Sequence, residues 1–162
     1  MEKRKRTKKF KEGEVYAIPL NENEDEFAFG LVCRGRDFAF FAHKSINSSI
    51  PEGLLELPFA FRVIVAEDTP KSGNWLCLGS VELTGRYAAN ASYIRKPIGS
   101  DQCYIYTAGE ERPADIAECK GLEILGVWFS MHVRQRLLDY FAGRENDFVL
   151  AVHRQLGLLG KI

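Results

Sequence analysis

The chain of 162 residues has 22 basic and 22 acidic residues, and 46% of its residues are hydrophobic. This length and composition favour one folded domain and exclude a largely disordered protein. No apolar run approaches the roughly 18 residues that a membrane span requires, so we expect no association with a membrane.

The zero net charge hides an uneven distribution. Residues 1–11 contain seven lysine or arginine residues and one acidic residue, a net charge of +6, so residues 12–162 carry a net charge of −6. Because the like charges repel one another, we predict a flexible basic arm at residues 1–11 and a single globular domain at residues 12–162. The sequence leaves two interpretations of the arm open, a solubilising tail or an arm that binds nucleic-acid phosphates.

The predicted elements begin with an antiparallel meander. Apolar residues alternate with a period of two, which is typical of half-buried strands, over residues 13–20, 27–33 and 38–42. Pro19 cannot donate a backbone hydrogen bond, so it should lie at a strand end or a sheet edge. Gly30 lies within the second strand, where we expect another backbone or an aromatic ring to pack against it.

The turn between the first two strands is polar throughout and is the most acidic exposed stretch of the sequence. Its residues, NENEDE at positions 21–26, predict a hairpin loop. The hairpin would present four carboxylates to a partner: Glu22, Glu24, Asp25 and Glu26.

Further strands are predicted over residues 59–65, 75–83, 102–107 and 122–129, and helices over residues 51–57, 113–120, 130–142 and 147–156. Residues 84–100 are predicted to be irregular. This order predicts an α+β fold, a twisted and mostly antiparallel sheet or partial barrel with short helices and a C-terminal helical segment.

Local signals support several of these helices. Ser49 and Glu52 have the spacing of a capping box, Pro113 suits a first helical turn, and Ser130 suits an N-cap. Trp75, at the start of a strand, has two interpretations that stay open, a core residue or a binding anchor.

The sequence offers little support for catalysis or for a metal site. The histidines His43, His132 and His153 lack the spacings of zinc-binding motifs. The chain also has no phosphate-cradling glycine loop and no nucleophile elbow. We therefore predict that the protein is not an enzyme and uses no cofactor or metal.

The four cysteines form no Cys-x-x-Cys pair and follow no secretory signal, which favours reduced thiols and a cytoplasmic location. We expect them to be small buried hydrophobic residues: Cys33, Cys77, Cys103 and Cys119. A nucleophilic pair of Cys33 with His43 remains an alternative, because such partners need be close only in space. Cys33 lies on the bulky face of its strand, however, where a thiol is usually inert.

An ordered series of segments resembles the immunity protein 26 family of bacterial polymorphic-toxin systems. The series opens with KEGEVYAIPL at residues 11–20 and FAFGLV at residues 27–32. It continues with FAFRV at residues 59–63, SGNWLCLGSV at 72–81, YIY at 104–106 and ECKGLE at 118–123. The resemblance covers about residues 11–143. It implies toxin neutralisation by binding, and it carries no catalytic residues.

The resemblance leads us to expect a protein that binds a cognate toxin in the cytoplasm and blocks its active surface. If the toxin is a nuclease, its basic substrate cleft would attract an acidic domain. This predicts a partner-binding role for the acidic loop: Glu22, Glu24, Asp25 and Glu26. The alternative is a nucleic-acid-binding module that uses the basic arm, with aromatic strands as stacking platforms.

Overall fold

The computed structural model describes residues 9–162, so most of the predicted basic arm lies outside the described residues. The ten strands of this part are β1 (Glu14–Pro19), β2 (Phe27–Val32), β3 (Phe38–Phe41), β4 (Phe59–Val65), β5 (Leu76–Ser80), β6 (Ser92–Arg95), β7 (Cys103–Thr107), β8 (Glu110–Ala114), β9 (Glu123–Ile124) and β10 (Val127–Trp128). The α-helices are α1 (Thr69–Ser72), α2 (Ser130–Phe141) and α3 (Asp147–Gln155). Short 3-10 helices cover Leu54–Glu56, Gly85–Ala88 and Ile116–Cys119.

The strands form two sheets. The larger sheet has the order β10-β4-β3-β2-β1-β5 and is antiparallel except for β10, which runs parallel to β4. The smaller sheet has the order β8-β7-β6-β9, and β9 runs parallel to β6. Neither sheet closes into a barrel within residues 9–162, and the α+β prediction is confirmed.

The predicted meander is confirmed, but its central strands are buried on both faces instead of one. Every residue of β2 and β3 is buried. One face packs against α2 through Val133 and Leu137, and the other is covered by loop residues that include Leu54 and Tyr87. The sheet therefore belongs to two hydrophobic cores at once.

Gly30 shows how tightly these cores are packed. A Cβ atom added there would lie 3.0 Å from Cε1 of Phe40 and 3.3 Å from side-chain atoms of Ile18 and Phe38. The predicted contact with an aromatic ring is thus confirmed. Pro19 ends β1 opposite Phe27, at a strand end as predicted.

The smaller sheet corrects two predictions. Strand β6 lies in the region predicted to be irregular, and it pairs with β7 along its whole length. Pro113 does not open a helix but lies in β8 opposite Tyr104. Because β8 is an edge strand, the backbone donor that Pro113 lacks is not needed.

Three further predictions about local structure were wrong. The predicted helix at residues 51–57 is only a short 3-10 helix, Leu54–Glu56. Its N-cap is Gly53, which has a left-handed backbone conformation (φ 64°) and makes no side-chain cap hydrogen bond, so Ser49 and Glu52 do not cap it as predicted. The predicted strand at residues 122–129 is split at Leu125 and Gly126 into β9 and β10, which belong to different sheets. Ser130 is the first residue of α2, and Phe129 occupies the N-cap.

The C-terminal helices are confirmed, although α3 packs less deeply than predicted. Asn146 caps α3 by accepting a hydrogen bond from the backbone N–H of Val149. No residue of α3 is fully buried, and Phe148 is 39% exposed. Leu158, which follows the helix, is buried in the core of the smaller sheet.

Candidate functional site

The acidic loop between β1 and β2 is an ordered turn. The backbone N–H of Asp25 donates to the side-chain oxygen of Asn21 (3.2 Å), and the Asn21 amide donates back to the Asp25 carboxylate. Glu24 adopts a left-handed conformation (φ 53°). The N–H of Leu20 donates to the carbonyl of Glu26 (2.8 Å), which closes the base of the loop. The loop conformation is therefore fixed by its own hydrogen bonds.

The four predicted partner-binding residues differ in what they contact. Asp25 is engaged by Asn21, and half-buried Glu26 lies 3.7 Å from the Nζ of Lys44. Glu22 and Glu24 are exposed, and neither forms an ion pair within residues 9–162. The loop thus brings all four acidic residues together. Glu22 and Glu24 are the two whose carboxylates are exposed and form no ion pair with the described residues, so they are the best placed of the four to contact a partner.

Glu22 and Glu24 line a groove of about 470 Å³. The opposite wall consists of residues around α1 and the first turn of α2: Ser72, Gly73, Asn74, Trp75, Ser130, Met131 and Arg134. Met131 is 71% exposed on this wall. The groove therefore combines two carboxylates, one guanidinium and an exposed apolar side chain. This combination of charged and apolar groups is suited to contact with the surface of another protein.

Trp75 is a core residue that also lines the groove. Its ring is 7% exposed and packs edge-on against Phe38 (5.5 Å between ring centroids) and Phe40 (5.7 Å). A Cβ atom at Gly73 would lie 2.5 Å from the indole Nε1, so only glycine allows the turn to pass this close to the ring. Of the two interpretations of Trp75, the core role is the one that the structure supports.

A buried cluster of Arg62, Asp37 and Tyr93 joins the two sheets at the end of β2 that lies away from the acidic loop. Nε of Arg62 in β4 donates to Oδ2 of Asp37 (2.8 Å), and the Tyr93 hydroxyl in β6 donates to the same oxygen (2.5 Å). Burial alone would lower the pKa of Arg62, but Asp37 raises it above its ordinary value. Burial and then Asp37 raise the pKa of Tyr93. Both groups therefore keep their protons over the physiological range.

The sequence patterns did not identify this ion pair. The available signal was Arg62 itself, a single charge within the apolar segment FAFRVIV. A charge in a buried strand usually has a partner, but the sequence did not indicate that Asp37 and Tyr93 supply it.

The candidate catalytic cysteine has an environment that disfavours its thiolate form. Cys33 is fully buried, its thiol donates to the carbonyl of Leu31 (3.5 Å), and burial raises its pKa to about 12 despite the nearby charge of Arg62. No hydrogen bond links Cys33 to His43 within the described part of the chain. Cys103 and Cys119 are also buried, as predicted, but Cys77 is exposed on the edge strand β5.

Residues 9–162 contain no group of three or more histidine, cysteine or acidic side chains that could hold a metal ion. None of the helices in this range is both long and apolar enough to cross a membrane. The groove at the acidic loop is one of several concave surfaces of residues 9–162, and it is the one that contains predicted partner-binding residues.

Residues 11–103 match the family model of Immunity protein 26, which confirms the resemblance seen in the sequence. The match spans more than half of the chain, and the chain therefore belongs to the Immunity protein 26 family. The matched range contains β1 to β6 and ends at Cys103, the first residue of β7. The resemblance in the sequence was expected to extend further, to about Gly143. No curated protein and no solved structure matches the chain.

Proposed function

We propose that this protein binds a cognate bacterial toxin in the cytoplasm and neutralises it by occluding its active surface. Family membership supports the immunity role. The observation that carries the proposed mode of binding is the acidic loop, in which Glu22 and Glu24 lie exposed at the groove while Asn21 fixes the backbone. A preorganised loop loses little conformational entropy on binding.

The charge of the loop favours a toxin with a basic active surface, such as a nuclease. Nucleases bind a polyanion, so the clefts of such toxins carry lysine and arginine side chains. Complementary charge steers the encounter of two proteins and raises the association rate, most strongly at low salt. Neutralisation in this proposal requires binding only, with no chemical step by the immunity protein.

The proposed function predicts that a neighbouring reading frame encodes a toxin domain, and co-expression with that domain tests the proposal. Cells that produce this toxin domain alone should stop growing, and cells that also produce the immunity protein should grow. A purified pair should form a complex on size exclusion. Growth arrest despite soluble immunity protein would contradict the proposal.

The role of the acidic loop is tested by charge reversal with a matched control. Glu22→Lys combined with Glu24→Lys should slow association with the toxin domain by about tenfold or more at low salt, with a smaller effect at high salt. The control, Asp101→Lys combined with Glu110→Lys, changes the total charge equally at two exposed positions, one in the β6–β7 loop and one at the start of β8. Equal association rates for the two double variants would contradict the placement of the interface.

The basic arm supports a second candidate function, the binding of nucleic acid. Its seven basic residues favour this function, although most of them lie outside the described residues, and the aromatic side chains of β2 and β3 are buried and offer no stacking platform. Deletion of residues 1–9 separates the candidates. Binding to RNA or DNA that falls steeply with salt and is lost on deletion would favour this second function, whereas toxin binding should survive the deletion.

A further inference from the structure

Three large apolar side chains are exposed within five consecutive residues. Val127 is 55% exposed, Phe129 is 52% exposed and Met131 is 71% exposed. We call these three residues the apolar strip. Single exposed apolar side chains are ordinary on protein surfaces, but a concentration of them marks a site of interaction.

The fold explains why the apolar strip faces outward. Trp128 is buried and packs against Phe61 (6.4 Å between ring centroids) and Phe148 (5.1 Å). Because successive side chains of a strand point to opposite sides, burial of Trp128 turns Val127 and Phe129 away from the core. Strand β10 is the outermost strand of its sheet, so no further strand within residues 9–162 covers it.

The apolar strip meets the acidic groove at one residue, Met131. Met131 lines that groove together with Glu22 and Glu24. The Ser130 hydroxyl, next to Met131, accepts a hydrogen bond from the Ser72 hydroxyl (3.1 Å), which fixes the first turn of α2 against α1. The apolar and acidic parts are therefore held side by side on ordered backbone.

We infer that the apolar strip is the anchor of the toxin interface, and that its occupant is a toxin surface with apolar side chains beside cationic ones. This inference rests on the proposed function. It assigns different roles to the two parts of the surface, since exposed charges mainly set the association rate and buried apolar contacts mainly set the dissociation rate.

A second copy of this chain fits the surface less well than a basic protein. In a two-fold symmetric dimer the same patch lies on both sides of the interface. Glu22 and Glu24 would then approach the same carboxylates of the other copy, and among residues 9–162 Arg134 is the one cation that lines the groove to offset them. Like charges brought together across an interface disfavour the complex. Charge complementarity thus selects a cationic protein partner.

The test measures binding kinetics of an inactivated form of the neighbouring toxin domain. Phe129→Ala and Met131→Ala should each raise its dissociation rate by about fivefold or more and change the association rate by less than about twofold. The matched control is Ile98→Ala, because Ile98 is also 71% exposed but lies between β6 and β7. It should bind as the unmodified protein does.

A further variant, Met131→Gln, keeps the side-chain length but removes its apolar character. The complex of this variant with the toxin domain should also dissociate faster. Thermal unfolding identifies any variant with altered folding. Unchanged dissociation rates in all strip variants would overturn this inference but leave the proposed function intact. Failure of the unmodified protein to bind the toxin domain would overturn both. A dimer of the unmodified protein that Met131→Gln converts to monomers would overturn the inference in favour of self-association.

Discussion

Arg62 and Asp37 form a buried ion pair, with 2.8 Å between Nε and Oδ2, at the junction of the two sheets. The same guanidinium donates to the backbone carbonyls of Arg34 (3.1 Å), Arg86 (2.9 Å) and Ala89 (2.9 Å). One side chain in β4 therefore holds the β2–β3 turn and the loop before β6. A buried guanidinium with all of these acceptors positions the smaller sheet against the larger one.

Removal of one member of this cluster should destabilise the protein strongly. Arg62→Leu leaves the Asp37 carboxylate buried without its countercharge and should lower the free energy of unfolding by about 3–5 kcal/mol. Urea denaturation followed by tryptophan fluorescence measures this, because Trp75 and Trp128 are both buried. The control, Arg112→Leu, removes an exposed ion pair with Glu118 and should leave the free energy of unfolding nearly unchanged.

The Tyr93 hydroxyl offers a milder test of the same cluster. Tyr93→Phe removes a hydrogen bond to a charged group and should cost about 1.5–3 kcal/mol. Tyr106, directly opposite in β7, has a hydroxyl that forms no hydrogen bond within residues 9–162. Tyr106→Phe should therefore change stability by less than about 0.5 kcal/mol. Similar costs for the two substitutions would contradict a special stabilising role of the Tyr93 hydroxyl.

Gly30→Ala should destabilise the protein by overpacking. The added methyl group would lie 3.0 Å from the ring of Phe40 with a strand on either side, and a well-packed core loses about 1–3 kcal/mol on such an insertion. Gly126→Ala is the control, because a Cβ atom there meets no atom within 4 Å and the position lacks a positive φ. A melting temperature equal to that of the unmodified protein would show that the core can expand at Gly30.

The cysteines should differ sharply in reactivity. Cys77 is exposed, whereas Cys33, Cys103 and Cys119 are buried, and burial raises the pKa of Cys33 and of Cys119. Because the thiolate is the reactive form, iodoacetamide at neutral pH should modify one cysteine in the folded protein and four in denaturant. Intact-mass spectrometry counts the adducts. Rapid modification of Cys33 in the folded protein would revive a catalytic role for it.

Stability should fall in acid through Asp139, which links α2 to α3. Burial alone would raise the pKa of this carboxyl, but hydrogen bonds from Asn146, Gln135 and Arg144 outweigh burial and lower the pKa below its ordinary value of 3.8. The unfolded chain then binds the proton more readily than the folded chain. The contribution of Asp139 is therefore complete above the ordinary pKa and is lost as the pH falls through the folded value.

Asp139→Asn should accordingly lower the melting temperature at pH 7, and the difference from the unmodified protein should shrink below about pH 4. Differential scanning calorimetry across this range measures both effects. The control Glu145→Gln removes an exposed carboxylate and should leave the melting temperature at pH 7 nearly unchanged. A constant difference between Asp139→Asn and the unmodified protein at every pH would contradict the assignment.

The sequence predicts the larger sheet well because its strands are continuous apolar segments separated by unambiguous turns. The pattern does not reveal burial on both faces, since Val15 and Tyr16 alternate in the same way whether one face or both are covered. The smaller sheet is harder to predict. Strand β6 has only four residues, and the proline in β8 resembles a helix start unless its edge position is known.

The candidate site was predictable in part. The acidic loop follows from six polar residues between two strong strands. Its groove does not, because the opposite wall comes from Ser72 to Trp75 and from the start of α2, more than 45 residues away in the chain. The exposure of Met131 also depends on where β10 ends the sheet, and this is a property of the assembled fold.

The burial of β1, β2 and β3 on both faces limits where this protein can adapt. A change on either face of these strands alters a packed core, so a new binding preference cannot easily arise there. The β1–β2 loop is different, because its exposed carboxylates at Glu22 and Glu24 can be exchanged without disturbing either core. The fold thus separates the residues that maintain the scaffold from those available to follow a changing partner.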